Sequence, residues 1–158
     1  MSTLVAVLAM SLSAQAHALD DQIAERIVRN YSGAIACQIS HTSYKAVEIQ
    51  QGGPEPKDLG TVYVVHWKGD IGCVGGNANI TENFSVVEHR GFTSATPIVV
   101  TDYDFPELPL ISVTEVSAEN GLLRIVGLRY GPNDQDHPSQ RVVYRLRFDG
   151  SGFVMDHR

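Results

Sequence analysis

Ser112-Val-Thr-Glu-Val-Ser-Ala-Glu-Asn-Gly-Leu-Leu-Arg-Ile-Val126 is the stretch whose reading decides the fold. Ser112 to Ser117 sets Val113 and Val116 among polar residues and reads as a half-buried strand. Asn120-Gly121 then offers the two residue types that accept positive φ in a type I′ turn, and a second apolar run follows from Leu122. The pattern predicts a tight antiparallel hairpin, and with it an antiparallel sheet.

Downstream, Arg141 to Phe148 sets Arg141, Val143, Arg145 and Arg147 against Val142, Tyr144, Leu146 and Phe148. One side of that strand faces core and the other water. Asp149-Gly150-Ser151-Gly152 turns the chain into Phe153-Val-Met155. Upstream, Thr61-Val-Tyr-Val-Val-His-Trp67 is rich in β-branched and aromatic residues and reads as the strongest strand. Phe84 to His89 and Ile98 to Asp102 add two more. Ala34–Ile39 and Tyr44–Ile49 read as a pair around Ser40-His41-Thr42-Ser43, and residues 50–60, with Pro54 and Pro56, as a loop. Before them, Asp20 to Tyr31 places Ile23, Ile27, Val28 and Tyr31 on one helical face. Asp20 caps that helix and Ser32-Gly33 ends it. The expected fold is α+β: an N-terminal helix packed on a curved, mostly antiparallel sheet of about six to eight strands. A partial barrel fits the same pattern. No repeat or second domain boundary interrupts it.

The N-terminal end reads as a signal peptide over residues 1–18: Leu4 to Met10 is apolar, and Ala16-His17-Ala18 is a small-x-small cleavage site. Its first three residues lack the usual basic charge. The apolar run is shorter than the roughly 20 residues that span a bilayer. The expectation is a single exported domain over 19–158, periplasmic or secreted from a bacterial envelope, with no stable membrane insertion after cleavage. In that oxidising setting Cys37 and Cys73 pair as a disulfide, and closing a loop of that length stabilises by about 3–4 kcal/mol in the chain-entropy treatment. The net charge of −6 argues against nucleic-acid binding. It favours a basic partner, although solubility alone explains it more simply.

Four segments carry candidate site residues. Lys68 to Asn77 is glycine-rich and ends in a cysteine-tethered loop, where Asp70 and Asn77 are candidate recognition residues. It matches neither a dinucleotide fingerprint nor a P-loop. Asp70, Asn77, Asn79 and Glu82 are oxygen donors of the kind calcium takes, at no EF-hand spacing. Asp102-Tyr103-Asp104-Phe105-Pro106-Glu107 is acidic, aromatic and stiffened by proline. It reads either as a recognition loop or as a solvated loop with Tyr103 and Phe105 tucked into the core. Asp102 and Asp104 as an acid/base pair lack any catalytic partner. Asp134, Asp136 and His137 share one polar loop and are a weak metal candidate. His66, beside Trp67, is a candidate base or ligand, with a satisfied sheet histidine as the commoner reading. The sequons at Asn30, Asn79 and Asn83 read as chance matches. Motifs of nucleophilic catalysis are absent, and no cofactor or metal is expected.

Three functions follow. The first is a non-enzymatic periplasmic protein that recognises another protein, inhibitor- or immunity-like, through the 68–82 and 102–109 loops. This rests on the missing catalytic constellation, the acidic balance and the two constrained loops, beside a fold-level analogy with small acidic exported domains. The second is a small-ligand binder using a concave sheet face lined by Tyr63, Trp67 and Tyr144. The third is a hydrolase using Asp and His groups, which requires His66 or His137 beside a carboxylate in a cleft.

Overall fold

The computed structural model describes residues 20–40, 43–52, 60–73, 80–90 and 96–157. The signal-peptide reading of residues 1–18, and the candidates Asn77 and Asn79, lie outside the described residues.

Helix α1 spans Asp21–Ile35. The Asp20 carboxylate accepts the Ile23 N–H at 2.8 Å, the expected cap. Ser32-Gly33 does not stop the helix, which runs on to Ile35. The Ser32 hydroxyl donates back to the Arg29 carbonyl and meets the Tyr44 hydroxyl at 2.6 Å. Ile35 and Ala36 pack into the core under the helix. Tertiary contact thus outweighs the weak helix preference of Ser and Gly.

Among the described residues nine strands follow, in two sheets rather than the single curved sheet expected. The first sheet contains β1 (Gln38–Ile39), β2 (Lys45–Gln50), β3 (Thr61–Asp70), β4 (Thr81–His89) and β5 (Ile98–Val100). The second is a meander of β6 (Ser112–Glu119), β7 (Leu122–Arg129), β8 (Gln140–Phe148) and β9 (Phe153–Met155). They do not close into a barrel. The expected pairing of 34–39 with 44–49 also fails. Instead β1 pairs with Gly69 and Asp70, and β2 with Val62 to His66, along the same edge of β3. That edge is one interrupted strand rather than a hairpin, because each segment finds its backbone partners on β3.

The layers are helix, first sheet, second sheet. Ala24 and Val28 of α1 pack with Ala46, Tyr63, Val65, Trp67 and Val87. On the other face, Val47, Ile49, Val62, Val64 and Val86 meet Val116, Leu123, Ile125, Leu146 and Phe153. β3 is therefore covered on both sides. The β6–β7 hairpin forms as expected, with φ of 54° at Asn120 and 76° at Gly121. Cys37 and Cys73 are bonded, joining the segment after α1 to the end of β3.

Gly127 fits where nothing larger does. A Cβ there would lie 2.3 Å from the Ser112 carbonyl oxygen and 2.8 Å from Leu110 Cδ2. Gly127→Ala is expected to push β6 off β7 and cost about 1–3 kcal/mol, read as a lower urea midpoint.

Candidate functional site

The inward face of the first sheet is apolar along most of its length and becomes charged at one end. On β3 the inward row runs Val62, Val64, His66, Lys68, and on β4 it runs Val86, Phe84, Glu82. Lys45 lies directly opposite His66 on β2, and Lys68 directly opposite Glu82 on β4. Side chains two apart on a strand, or directly paired across strands, share a face, so these four charged or titratable groups gather where the apolar rows stop.

Glu82 is the hub, with its side chain only 7% exposed. Oε2 lies 2.5 Å from His66 Nε2, and Oε1 lies 2.7 Å from Lys68 Nζ. The Val113 N–H of β6 donates to Oε1 across the gap between the sheets at 3.0 Å. β6 shifts register between Val113 and Glu115, so this bulge sits where the strand supplies that bond. Burial pushes the Glu82 carboxyl up, but the hydrogen bonds from His66, Lys68 and Val113 together outweigh it and hold the group below the ordinary range.

Beside this cluster lies a cleft of about 470 Å³, lined by Ser43, Lys45, His66, Lys68 and residues 113–116 of β6. Its walls carry two lysines and a histidine. Glu115 at the rim is engaged by Arg124. Lys45 is exposed and forms no ion pair among the described residues. The Ser43 hydroxyl is buried there without a hydrogen-bond partner. Thr114 directs its own hydroxyl to the Val126 carbonyl.

The carboxylate–histidine pair meets the geometric condition set for a hydrolase at His66, whereas His137 is exposed. A Ser–His relay is not assembled, because Ser43 Oγ makes no hydrogen bond to the imidazole. Both Glu82 oxygens are occupied, so the carboxylate orients its neighbours rather than facing the cleft as a base.

The expected site residues disperse. Asp70 is 3% exposed, at the end of β3 where its carbonyl accepts the Cys37 N–H. Tyr103 and Phe105 take the tucked-in alternative. The Tyr103 hydroxyl donates to buried Glu88 at 2.7 Å, and Phe105 stacks on Phe84 with ring centroids 5.2 Å apart. Asp102, Asp104 and Glu107 stay exposed. Asp134 pins its own loop, accepting from Gly131 and Ser139, and the Gly131 N–H above all lowers its carboxyl. Tyr63 and Trp67 lie beneath the helix, Trp67 donating to Ser85 Oγ, whereas Tyr144 lies between the sheets. Tyr63 and Trp67 share the helix-covered face, and Tyr144 does not join them.

Lys45, Lys68 and the inward role of Glu82 escaped the sequence reading, which stopped the two strands at Trp67 and Phe84. Continuing the same period-two register by one step on each strand reaches Lys68 and Glu82. Comparison with known protein families, curated proteins and solved structures finds no match for this chain.

Proposed function

We propose that this protein is a non-enzymatic, exported binding module that takes the anionic group of a small ligand into the cleft between its sheets. The observation that carries this reading is the pairing of unmatched cationic and hydroxyl groups there. Among the described residues Lys45 has no counter-ion and Ser43 Oγ no partner, beside a volume within the range of small-ligand sites. Lys68 and His66 are already oriented by Glu82, so their remaining donor capacity is held in place before a ligand arrives. A cationic cleft in a chain of net charge −6 concentrates anions locally. The reading as an exported protein is supported by the N-terminal sequence and by the Cys37–Cys73 disulfide. Among the described residues no helix is long and apolar enough to cross a membrane.

The test is a thermal-shift and calorimetric titration with citrate, inorganic phosphate and acetate, using glucose as the neutral control. An anion at ten times its Kd is expected to stabilise by about 1.4 kcal/mol. Lys45→Glu is expected to weaken that anion at least tenfold without lowering Tm, because Lys45 is exposed and supports nothing else. Equal shifts with glucose, or undiminished anion binding by Lys45→Glu, sink the reading. Trp67 fluorescence is not a suitable reporter, since the indole faces the helix.

A further inference from the structure

One nitrogen in the cleft is an acceptor set among cations. His66 is 6% exposed, and its Nε2 meets Glu82 Oε2. Glu82 Oε1 already takes the Lys68 ammonium and the Val113 N–H, both of which only donate. Burial pushes that carboxyl up, but these bonds outweigh it and hold it below its ordinary range. It is ionised at neutral pH, so Oε2 accepts as well. The His66 proton is thereby fixed on Nε2, and in the neutral ring Nδ1 keeps a bare lone pair. Among the described residues Nδ1 makes no hydrogen bond. Ser43 Oγ alone among them is both buried and unpartnered, so Nδ1 reaches solvent, and the space that His66 lines is the cleft.

We propose that the cleft selects anions carrying a hydroxyl beside the charge, namely α-hydroxycarboxylates and hydrogen phosphate, over equally charged anions without one. This selectivity rests on the anion reading of the cleft and adds what the anion must carry.

The surroundings of Nδ1 decide the chemistry. Lys45 stands directly across from His66 on β2, and Lys68 lies two residues on along β3, so cationic stems flank the ring on two sides. Those cations and the unpartnered Ser43 hydroxyl attract anionic oxygens. A plain carboxylate has acceptor oxygens only, and one placed at Nδ1 sets lone pair against lone pair. An α-amino acid brings a donor, but its ammonium then stands among lysines. Glu115, the rim carboxylate that would offset it, is held by Arg124. A hydroxyl donates without adding positive charge. On an α-hydroxycarboxylate it lies next to the carboxylate, so one small ligand offers oxygens to the lysines and Ser43 and a donor to Nδ1. Hydrogen phosphate carries the same combination on one phosphorus. Glu82 is a positioning residue here: both its oxygens are engaged, and it acts on the ligand by fixing the tautomer of His66.

Calorimetry at mildly alkaline pH and low ionic strength compares two matched pairs, L-lactate with propanoate and hydrogen phosphate with sulfate. Within each pair the charge is alike and the O–H differs. The hydroxylated member of at least one pair is expected to bind about tenfold more tightly, the worth of one hydrogen bond to a fixed acceptor. A preference in the first pair marks a carbon acid as the ligand, and one in the second pair a phosphate. Nitrogen NMR of His66 is followed through the same titrations. The proton is expected on Nε2 with and without ligand, and the Nδ1 signal is expected to move for the hydroxylated ligands only. His66→Phe keeps a ring beside Phe84 and is expected to bind both members of each pair alike. Because that variant also takes a donor from Glu82, the NMR of the wild type decides if the variant does not fold. Equal binding within both pairs overturns the selectivity and leaves the anion reading standing. Binding of none of the four anions overturns both. A proton on Nδ1, or on both nitrogens in the bound state, also overturns the selectivity, since the ring then donates to any anion.

Discussion

Glu82→Ala is expected to lower the unfolding free energy by about 3 kcal/mol, seen as a large drop in urea midpoint at neutral pH. The substitution removes the acceptor of three donors at once: His66 Nε2, Lys68 Nζ and the Val113 N–H. Breaking a buried ionic pair by removing one partner costs about 3–5 kcal/mol, because the other is left uncompensated. The low end applies here, since Lys68 keeps 31% of its side chain exposed and rehydrates. The same group sets an acid limit on stability. Its carboxyl is held below the ordinary value near 4.5 in the folded state. Its stabilisation is therefore fully present above that value and lost as pH falls through the lower folded one. Glu82→Gln is expected to show a flatter loss of stability between about pH 5 and pH 2 than the wild type. Parallel pH profiles for the two proteins contradict this account of the cluster. Asp134 and Asp149, whose carboxyls are also lowered, act equally in both and cancel in the comparison.

Cys37→Ser/Cys73→Ser is expected to cost about 3–4 kcal/mol, at least as much as the loss of Glu82. The bond closes a separation of 36 residues that contains β1, β2 and all of β3. Without it those strands regain the freedom of an open chain in the unfolded state. In the folded state the bond secures a two-residue strand, β1, whose ladder partners are Gly69 and Asp70. The urea midpoint of wild type with and without reductant, set beside that of the double variant, measures the effect. A loss below about 1 kcal/mol would mean that the unfolded chain keeps the loop closed by other contacts.

How much of this was legible in the sequence depended on whether the cause was local. The β6–β7 hairpin was legible because Asn120-Gly121 dictates its own turn. β8 was legible because one of its faces meets water and the alternation is written into the residues. The second sheet as a separate layer was misread, although β3 carried the signal. Val62 to Trp67 is an unbroken buried run, the pattern of a strand covered on both faces, where a single half-solvated sheet would alternate. The extra turn of α1 was not legible, since Ser32 and Gly33 are held helical by Tyr44 and the core rather than by their own preferences. The cleft was least legible of all. Lys45, His66, Lys68 and Glu82 come from three strands, and only strand pairing brings them together.

The double coverage of β3 has a consequence for the order in which the chain can finish folding. One cover, α1, precedes β3 in sequence, but the other consists of residues from Val116 to Phe153. A ribosome or a translocon releases the N-terminal end first. The first sheet therefore emerges before the residues that cover its inner valines. The second sheet has no such debt: each of its pairings joins consecutive strands, the local topology that forms fastest. Native burial of the central strand must wait for the last third of the polypeptide, so a chain stalled before β6 presents a sticky, half-covered sheet. Commitment to the folded state therefore waits for β6 to β9.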